Sequence, residues 1–339
     1  MPQNERAADK SDTVPPHGCK RRHLVVRNNH DDVTASRQGS GMGVFFSVLI
    51  NNYNYGRFLG RAIESVLSQQ DADFELIVVD DGSTDESRDV IARYRHNIEP
   101  ILKENGGQAS SFNAGFAASK GEVICLLDSD DYFKPEKLAR LRAEYASAAN
   151  PGWCFHEMEI ESASGTRTRP RSRYRGLVDD RRGFRLGRPA WKFPATSALT
   201  FRREILGELL PMPEAKGVAV GDHYLKFGAA TLSPGCLMPD ILAVQTVHNS
   251  NAYTGVSHGR LEAEIQLRTA LALKERLPEV TPFCDNLAGT ASAIRRMLND
   301  APASLLELEN KYWHQSSALG RLRMLAWRTA KAVRRRGPT

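Results

Sequence analysis

Three carboxylates, Asp128, Asp130 and Asp131, fall within four consecutive positions, directly after the apolar run Val123 to Leu127. A run of that length reads as a buried strand, and the acids after it are carried to the strand's end. In an open α/β sheet, ligands bind at the carboxyl ends of the strands. Acids so close repel one another unless a cation compensates them, and their hard oxygens suit Mg²⁺ or Mn²⁺. A divalent ion there would act on a diphosphate. The bland alternative is an acidic turn that caps the next helix.

Other polar groups sit at comparable places. Asp80-Asp81-Gly82-Ser83-Thr84-Asp85 closes the apolar run Phe74 to Val79. A carboxylate at such a strand end can accept hydrogen bonds from a base or ribose. Gly82 allows a tight turn and Ser83 or Thr84 can cap the following helix, so turn and cap alone would also explain the segment. In Asn51-Asn52-Tyr53-Asn54, Tyr53 could stack on a base and Asn52 could bond its edge, although an aromatic after a strand more often packs. Asn105-Gly106-Gly107 and Asn113-Ala114-Gly115 flank a helix start, where glycines admit close backbone approach and the helix N-terminus favours phosphate. Neither is a Walker loop. The Gly-x-Gly-x-x-Gly of a nicotinamide enzyme is absent after the first strand.

The elements that must position these groups alternate. Phe45 to Ile50 reads as a strand, and Leu59, Ile63, Val66 and Leu67 then share one helical face. Strands over Phe74 to Val79, Ile98 to Leu102 and Val123 to Leu127 interleave with helices over Ser87 to Tyr94, Ala109 to Ala118 and Pro135 to about Ala146, with Pro135 suited to a first helical position. This spacing predicts parallel βαβ units in an α/β, doubly wound, mostly parallel sheet. Its strand-to-helix loops, Asn51 to Gly56, Asp80 to Asp85, Asn105 to Gln108 and Asp128 to Asp131, would share one edge. Beyond Ala146, Trp153 to Ile160 and Thr196 to Phe201 read as strands, Gly221 to Ala230 as a helix, and Leu232 to Val247 as strands of an antiparallel edge. The divisions expected are a disordered segment over 1–42, an α/β domain over 43–258 (nucleotide-binding to residue 134, acceptor-binding and catalytic from 135) and a helical extension over 259–339.

Composition narrows the class. With 41% hydrophobic and 25% charged residues the chain is an ordinary globular one. No apolar run approaches the roughly 18 residues that span a bilayer. Five scattered cysteines form no Cys-x-x-Cys pair, so neither zinc nor a disulfide framework is expected, and no apolar signal core opens the sequence. A cytoplasmic setting is expected. The net charge of +6 is uneven: nine arginines lie between Arg167 and Arg188, and seven Lys or Arg between Arg321 and Arg336.

In order and spacing, the segments Ser47 to Asn54, Val78 to Asp85, Asn105 to Gly115 and Leu127 to Asp131 resemble the nucleotide-sugar half of family 2 glycosyltransferases, inverting enzymes of the GT-A fold. The resemblance covers about a quarter of the chain closely, from Phe46 to Lys134. It implies a nucleotide-diphosphate sugar donor, with UDP the expected nucleotide. Asp81 would bind the uracil or ribose, with Asn52 and Tyr53 nearby, and Gly107, Asn113, Asp128 and Ser129 would complete the donor site. Asp130 would be the direct ligand of Mg²⁺ or Mn²⁺ in an Asp-x-Asp motif, joined by His248 of Val247-His248-Asn249-Ser250. Asp222 of Val220-Gly221-Asp222-His223 would be the general base, where the family often has Glu-Asp and this chain has Gly-Asp. Against these roles stand a first-turn carboxylate serving the helix dipole for Asp222 and a structural histidine for His248.

The mechanism implied is one in-line displacement at the anomeric carbon by an acceptor hydroxyl. The Gln-x-x-Arg-Trp motif and membrane spans of processive synthases are missing, so non-processive transfer of a hexosyl or N-acetylhexosaminyl unit to a glycan or lipid-linked acceptor is expected. The tail places Leu319, Leu322, Ala326, Ala330 and Val333 on one helical face and Arg321, Arg328, Lys331 and Arg335 opposite, a pattern suited to peripheral contact with an anionic membrane. The arginines of 167–188 would border an acceptor or form a solvated loop. Nucleic acid is not an expected partner, because base-stacking aromatics are sparse among the basic residues. The alternatives are a nucleotidyltransferase, which would need a basic glycine-rich loop early in the chain, and a catalytically silent nucleotide-sugar-binding scaffold.

Overall fold

A computed structural model describes residues 46–70, 73–169, 176–190, 192–213, 221–248, 259–298 and 300–336. The expected 1–42 segment lies outside them, as do Tyr174 and Trp191 of the arginine-rich region. From Phe46 the elements alternate: β1 (Phe46–Asn52), α1 (Gly56–Leu67), β2 (Phe74–Asp80), α2 (Ser87–Tyr94), β3 (Glu99–Leu102), α3 (Gln108–Ala118) and β4 (Val123–Asp128). There follow β5 (Tyr132–Phe133), α4 (Lys137–Tyr145), β6 (Trp153–Glu161), β7 (Arg167–Thr168), β8 (Gly176–Val178), α5 (Arg181–Arg185), a 3₁₀ turn (Thr196–Ala198), β9 (Leu199–Arg202), α6 (Arg203–Gly207), α7 (Gly221–Leu232) and β10 (Gly235–Thr246). Four long helices close the described chain: α8 (Gly259–Arg276), α9 (Thr281–Met297), α10 (Ala303–His314) and α11 (Ala318–Arg336).

The sheet order is β3-β2-β1-β4-β9-β6-β10-β5. β3, β2, β1 and β4 are parallel; β1, β2 and β4 are near-continuous apolar runs because both of their faces are covered, while β3 is a mostly exposed edge strand. Alternate residues divide between the faces. Phe46, Val48, Ile50, Val123, Cys125 and Leu127 join one buried cluster with Leu59, Ile63 and Val66 of α1, and Leu138 and Leu141 of α4. Leu49, Ile124 and Leu126 join the other, with Phe112 of α3, Leu225 of α7, Leu267 of α8 and Ala288 of α9. Helices α8 and α9 therefore bury their apolar sides in the same core as the sheet.

Three local expectations change. The helix after the acidic loop begins at Lys137 and not at Pro135, whose carbonyl accepts the Gln70 N–H at 3.1 Å. Thr196 to Phe201 divides into a 3₁₀ turn and β9, and β9 lies antiparallel between β4 and β6, inside the sheet. Leu232 ends α7, and Gly235 to Thr246 forms one long strand that is parallel to β6, with antiparallel partners β5 and β8. Its register slips between Met238 and Ile241, where Pro239 has no N–H for the ladder.

Register aligns the rim. Asn52 pairs with Asp80, and Asn51 with Asp128, so β1, β2 and β4 end at one level. The N-termini of α1 and α2 meet there. Asp85 accepts the Gly56 N–H at 2.8 Å and the Ser87 N–H at 3.0 Å, capping both helices with one carboxylate. Gly56 is required by this approach, since a Cβ there would stand 2.7 Å from the Ser87 nitrogen.

Candidate active site

The first half of the rim is built around Asp81. Its carboxylate is 3% exposed and accepts the Gly106 N–H (2.9 Å), the Gly107 N–H (2.7 Å) and the Lys103 ammonium (2.5 Å). Gly107 reaches it with a positive φ of 88°, a conformation that suits glycine, and so opens α3. Gly82 also has positive φ, and a Cβ there would lie 2.7 Å from the Asn105 nitrogen, so both glycines lock the turn after β2 onto the loop before α3. Asn52 donates to Asp80 (2.9 Å) and Ser83 (3.2 Å), while its Oδ1 is buried with no hydrogen-bond partner. Tyr53 stands at the rim, 47% exposed.

The second half is the acidic loop after β4. Asp128 accepts hydrogen bonds from Asn51 and Gln108, each at 3.1 Å, on one oxygen. Desolvation, then the neighbouring Asp130 charge, push its carboxyl up to about 7, with Asp222 adding to the rise. Asp130 lies 3.2 Å from Nε2 of His248, whose ring stacks on Phe58 at 4.2 Å between centroids and meets Tyr55 edge-on at 5.6 Å. Ser129 is 2% exposed and folds under the loop. Asp131 faces inward. It accepts the Ser197 hydroxyl at 2.6 Å and the Thr246 N–H at 2.9 Å, joining the loop to the 3₁₀ turn and to the end of β10. Of the three neighbouring acids, Asp131 is therefore spent on structure.

Among the described residues, no three His, Cys, Asp or Glu side chains converge on a point that could hold a metal. The pair Asp130 and His248, with Asp128 beside it, is still a donor set that suits a hard cation. Mg²⁺ commonly takes one or two carboxylates and fills its other positions with water and substrate phosphate. A cleft of about 380 Å³ adjoins His248, lined also by Arg57, Phe58, Glu161 and Thr246.

Asp222 opens α7. Its Oδ2 accepts from Lys226 at 2.8 Å, one turn on, and its Oδ1 lies 3.0 Å from Nδ1 of His223. Burial would raise its carboxyl, but the Lys226 ammonium and then His223 hold it well below the usual carboxylate range. Gln108 links this helix to the acidic loop. Its Nε2 bonds Asp128, and its Oε1 would stand 3.2 Å from a Cβ built on Gly221. Such a Cβ would also lie 2.7 Å from the Phe112 ring, so a larger residue at this position would require that ring to shift.

Fold and register thus bring Asn52, Asp81, Gly107, Asp128, Asp130 and His248 to the sheet edge, and Asp222 within electrostatic reach of Asp128. Asn113 is engaged elsewhere: its amide exchanges two hydrogen bonds of 2.9 Å with the backbone of Met212. Lys103, Gln108, Ser197 and Lys226 were not visible as site residues in the sequence. Only Lys226 left a signal, its i, i+4 spacing from Asp222. Ser197→Ala is expected to lower stability by about 1–3 kcal/mol, because it removes one of the two donors to the buried Asp131. Urea unfolding with an unchanged midpoint would show that Ser197 does not hold the loop.

Residues 47–210 match the sequence profile described as Glycosyl transferase family 2. A glycosyltransferase of Nostoc sp. is 36% identical over 232 residues, which are 67% of this chain and 72% of that protein. A Bacillus subtilis protein named for a role in teichuronic acid biosynthesis is 32% identical over 124 residues, 35% of this chain and 49% of its own length. The crystal structure of Staphylococcus aureus TarS 1-349 in complex with UDP-GlcNAc superposes with a TM-score of 0.56 over 86% of this chain and 92% of that one. At 17% identity that likeness is one of fold.

Proposed function

The chain belongs to glycosyltransferase family 2, and from that premise we propose that it is an inverting, non-processive, metal-dependent transferase that moves a hexosyl or N-acetylhexosaminyl unit from a UDP-linked donor to a hydroxyl of a glycan or lipid-linked glycan. The reading is supported by one observation: Gln108 donates to Asp128 at 3.1 Å and would stand 3.2 Å from a Cβ on Gly221, so the helix that carries Asp222 would present the candidate base beside the candidate diphosphate site.

In this reading the donor lies along the rim. A carboxylate has about four acceptor positions, and three of those on Asp81 are filled by Lys103, Gly106 and Gly107. The fourth would accept the imide N–H of uracil, with Tyr53 stacked on the ring. The TarS fold neighbour was crystallised with UDP-GlcNAc, which favours uridine over guanosine here. Asp130 and His248 would hold the divalent cation, whose chemistry is to neutralise charge that grows on the departing diphosphate.

Asp222 would accept the acceptor's hydroxyl proton as the oxygen attacks the anomeric carbon from the side opposite the diphosphate. Its pairing with Lys226 keeps it ionised and ready. Ionised groups of weak intrinsic basicity can still take a proton late in the displacement, when the attacking hydroxyl has become acidic. The nucleotidyltransferase alternative falls with family membership.

The test is a thermal-shift screen of nucleotide sugars with Mn²⁺ and with chelator. A ligand at a hundred times its Kd stabilises by about 2.7 kcal/mol. A UDP-sugar is expected to raise the Tm only with metal present. Stabilisation by GDP-sugars and not by UDP-sugars would overturn the uridine assignment, and no shift with any nucleotide sugar would overturn the donor site.

A further inference from the structure

The last described helix is arranged the opposite way to an ordinary surface helix. In α11 the residues that pack inward are Gly320, Met324 and the partly buried Trp327 and Arg328. They sit on α9, where a Cβ on Gly289 would stand 2.6 Å from the Met324 carbonyl and where the Trp327 Nε1–H donates to Thr290 at 2.9 Å. Tyr312 donates to the buried Asp285 at 2.8 Å, and Arg323 approaches the same carboxylate at 3.8 Å.

The apolar stripe lies on another face. Leu319 is 57% exposed and Leu322 63%, and Ala326 and Ala330 on the same arc are exposed as well. A helix docked only by a stripe of its own would bury these leucines. Here a second face does the docking, and the stripe is turned to solvent.

Charge says what suits that face. Between Ala318 and Arg336 the helix carries seven Lys or Arg and no acidic residue. By helical position Arg323 borders the stripe beside Leu319, and its side chain stays 41% exposed while it approaches Asp285; Arg321 lies about 100° away from Leu322 and donates to the Trp313 carbonyl at 3.1 Å. An exposed apolar stripe on a helix whose charged residues are all Lys or Arg is the composition of interfacial membrane helices. No described helix is long and apolar enough to cross a membrane, so the contact would be made from one side.

We propose that α11 docks the folded enzyme on an anionic bilayer surface, with Leu319 and Leu322 entering the headgroup layer and the wholly positive charge of the helix favouring anionic lipid. A second copy of this chain would cover the leucines but would bring a second set of arginines against the first, which disfavours it. The proposal stands independently of the donor assignment, because neither leucine belongs to the site on the sheet edge.

The test is vesicle flotation of the full chain. Wild type is expected to float with phosphatidylcholine–phosphatidylglycerol vesicles, to release them at high salt, and to ignore phosphatidylcholine alone. The double variant Leu319→Ser, Leu322→Ser should bind the anionic vesicles about tenfold or more weakly, given the apolar area removed, with an unchanged Tm because both positions are exposed. Absent binding by wild type, equal binding to neutral vesicles, or equal binding by the double variant would each overturn the proposal. So would a wild-type dimer that the double variant abolishes, seen in light scattering without flotation, since it would give the face to a second copy.

Discussion

Asp222→Asn is expected to reduce sugar transfer by about 10²–10⁴-fold, the usual contribution of a positioned general base, while metal-dependent donor affinity stays within a few-fold. The amide is isosteric and can still lie beside Lys226 and His223, but it cannot accept a proton from the incoming hydroxyl. Kinetics on a saturating donor, read beside calorimetric donor binding, separate the two effects. Wild-type turnover in the variant would remove Asp222 from the mechanism.

Lys226→Met supplies the companion pH measurement. In the native protein burial works to raise the Asp222 carboxyl, and Lys226 is the first of the charges that override it. Without the ammonium the folded value rises, so the acid limb of the rate profile should move to higher pH. Activity lost at the acidic end should return as pH increases. A carboxylate held low by its partner contributes stability above its unfolded pKa, lost as pH falls through the folded value. The variant should therefore also lose stability at neutral pH. An acid limb that does not move would show that some other group sets it.

Asp130→Ala should have the second large effect, with opposite signs in two states. With metal present, donor affinity is expected to fall at least about tenfold, a loss common even for mutations that touch only the partners of a metal's ligands. Without metal, Asp128 is relieved of its nearest like charge, so the Tm should not drop. Calorimetry and melting with and without chelator read both. Unchanged metal-dependent affinity would sink the assignment of Asp130, and a Tm that falls equally with and without metal would show that the residue serves the fold alone. His248 should follow Asp130 in the first measurement, because the two side chains are in contact.

Much of the rim was legible because its signals are local. A strand end, a glycine turn and a capping residue are all written within a few positions, and β1, β2 and β4 were predicted to within one or two residues. The family motifs lie in these same turns. What stayed hidden joins residues far apart in the chain. Ser197 reaches Asp131 across 66 positions, and Thr246 reaches it across 115. No periodicity could announce that the third acid of the cluster is anchored inward while its neighbours face the rim. The partner of Asn113 was hidden for the same reason, since Met212 lies 99 positions away.

The longest strand shows the limit from another side. Leu232 to Val247 is apolar enough for strands, but its direction depends on which neighbour it meets, and it meets β6 in parallel. The tail helix shows it again: composition determined that α11 would have an apolar stripe and a basic surround, and only packing against α9 decided which face the protein itself would use. By itself the amino-acid order determined the alternating α/β core, the loops that carry polar groups and the chemistry those groups offer, because backbone preference and side-chain period act between near neighbours. Tertiary structure alone decided which acids are spent on packing, what charge faces Asp222 and where two leucines point, because burial and electrostatics depend on what the fold brings close in space.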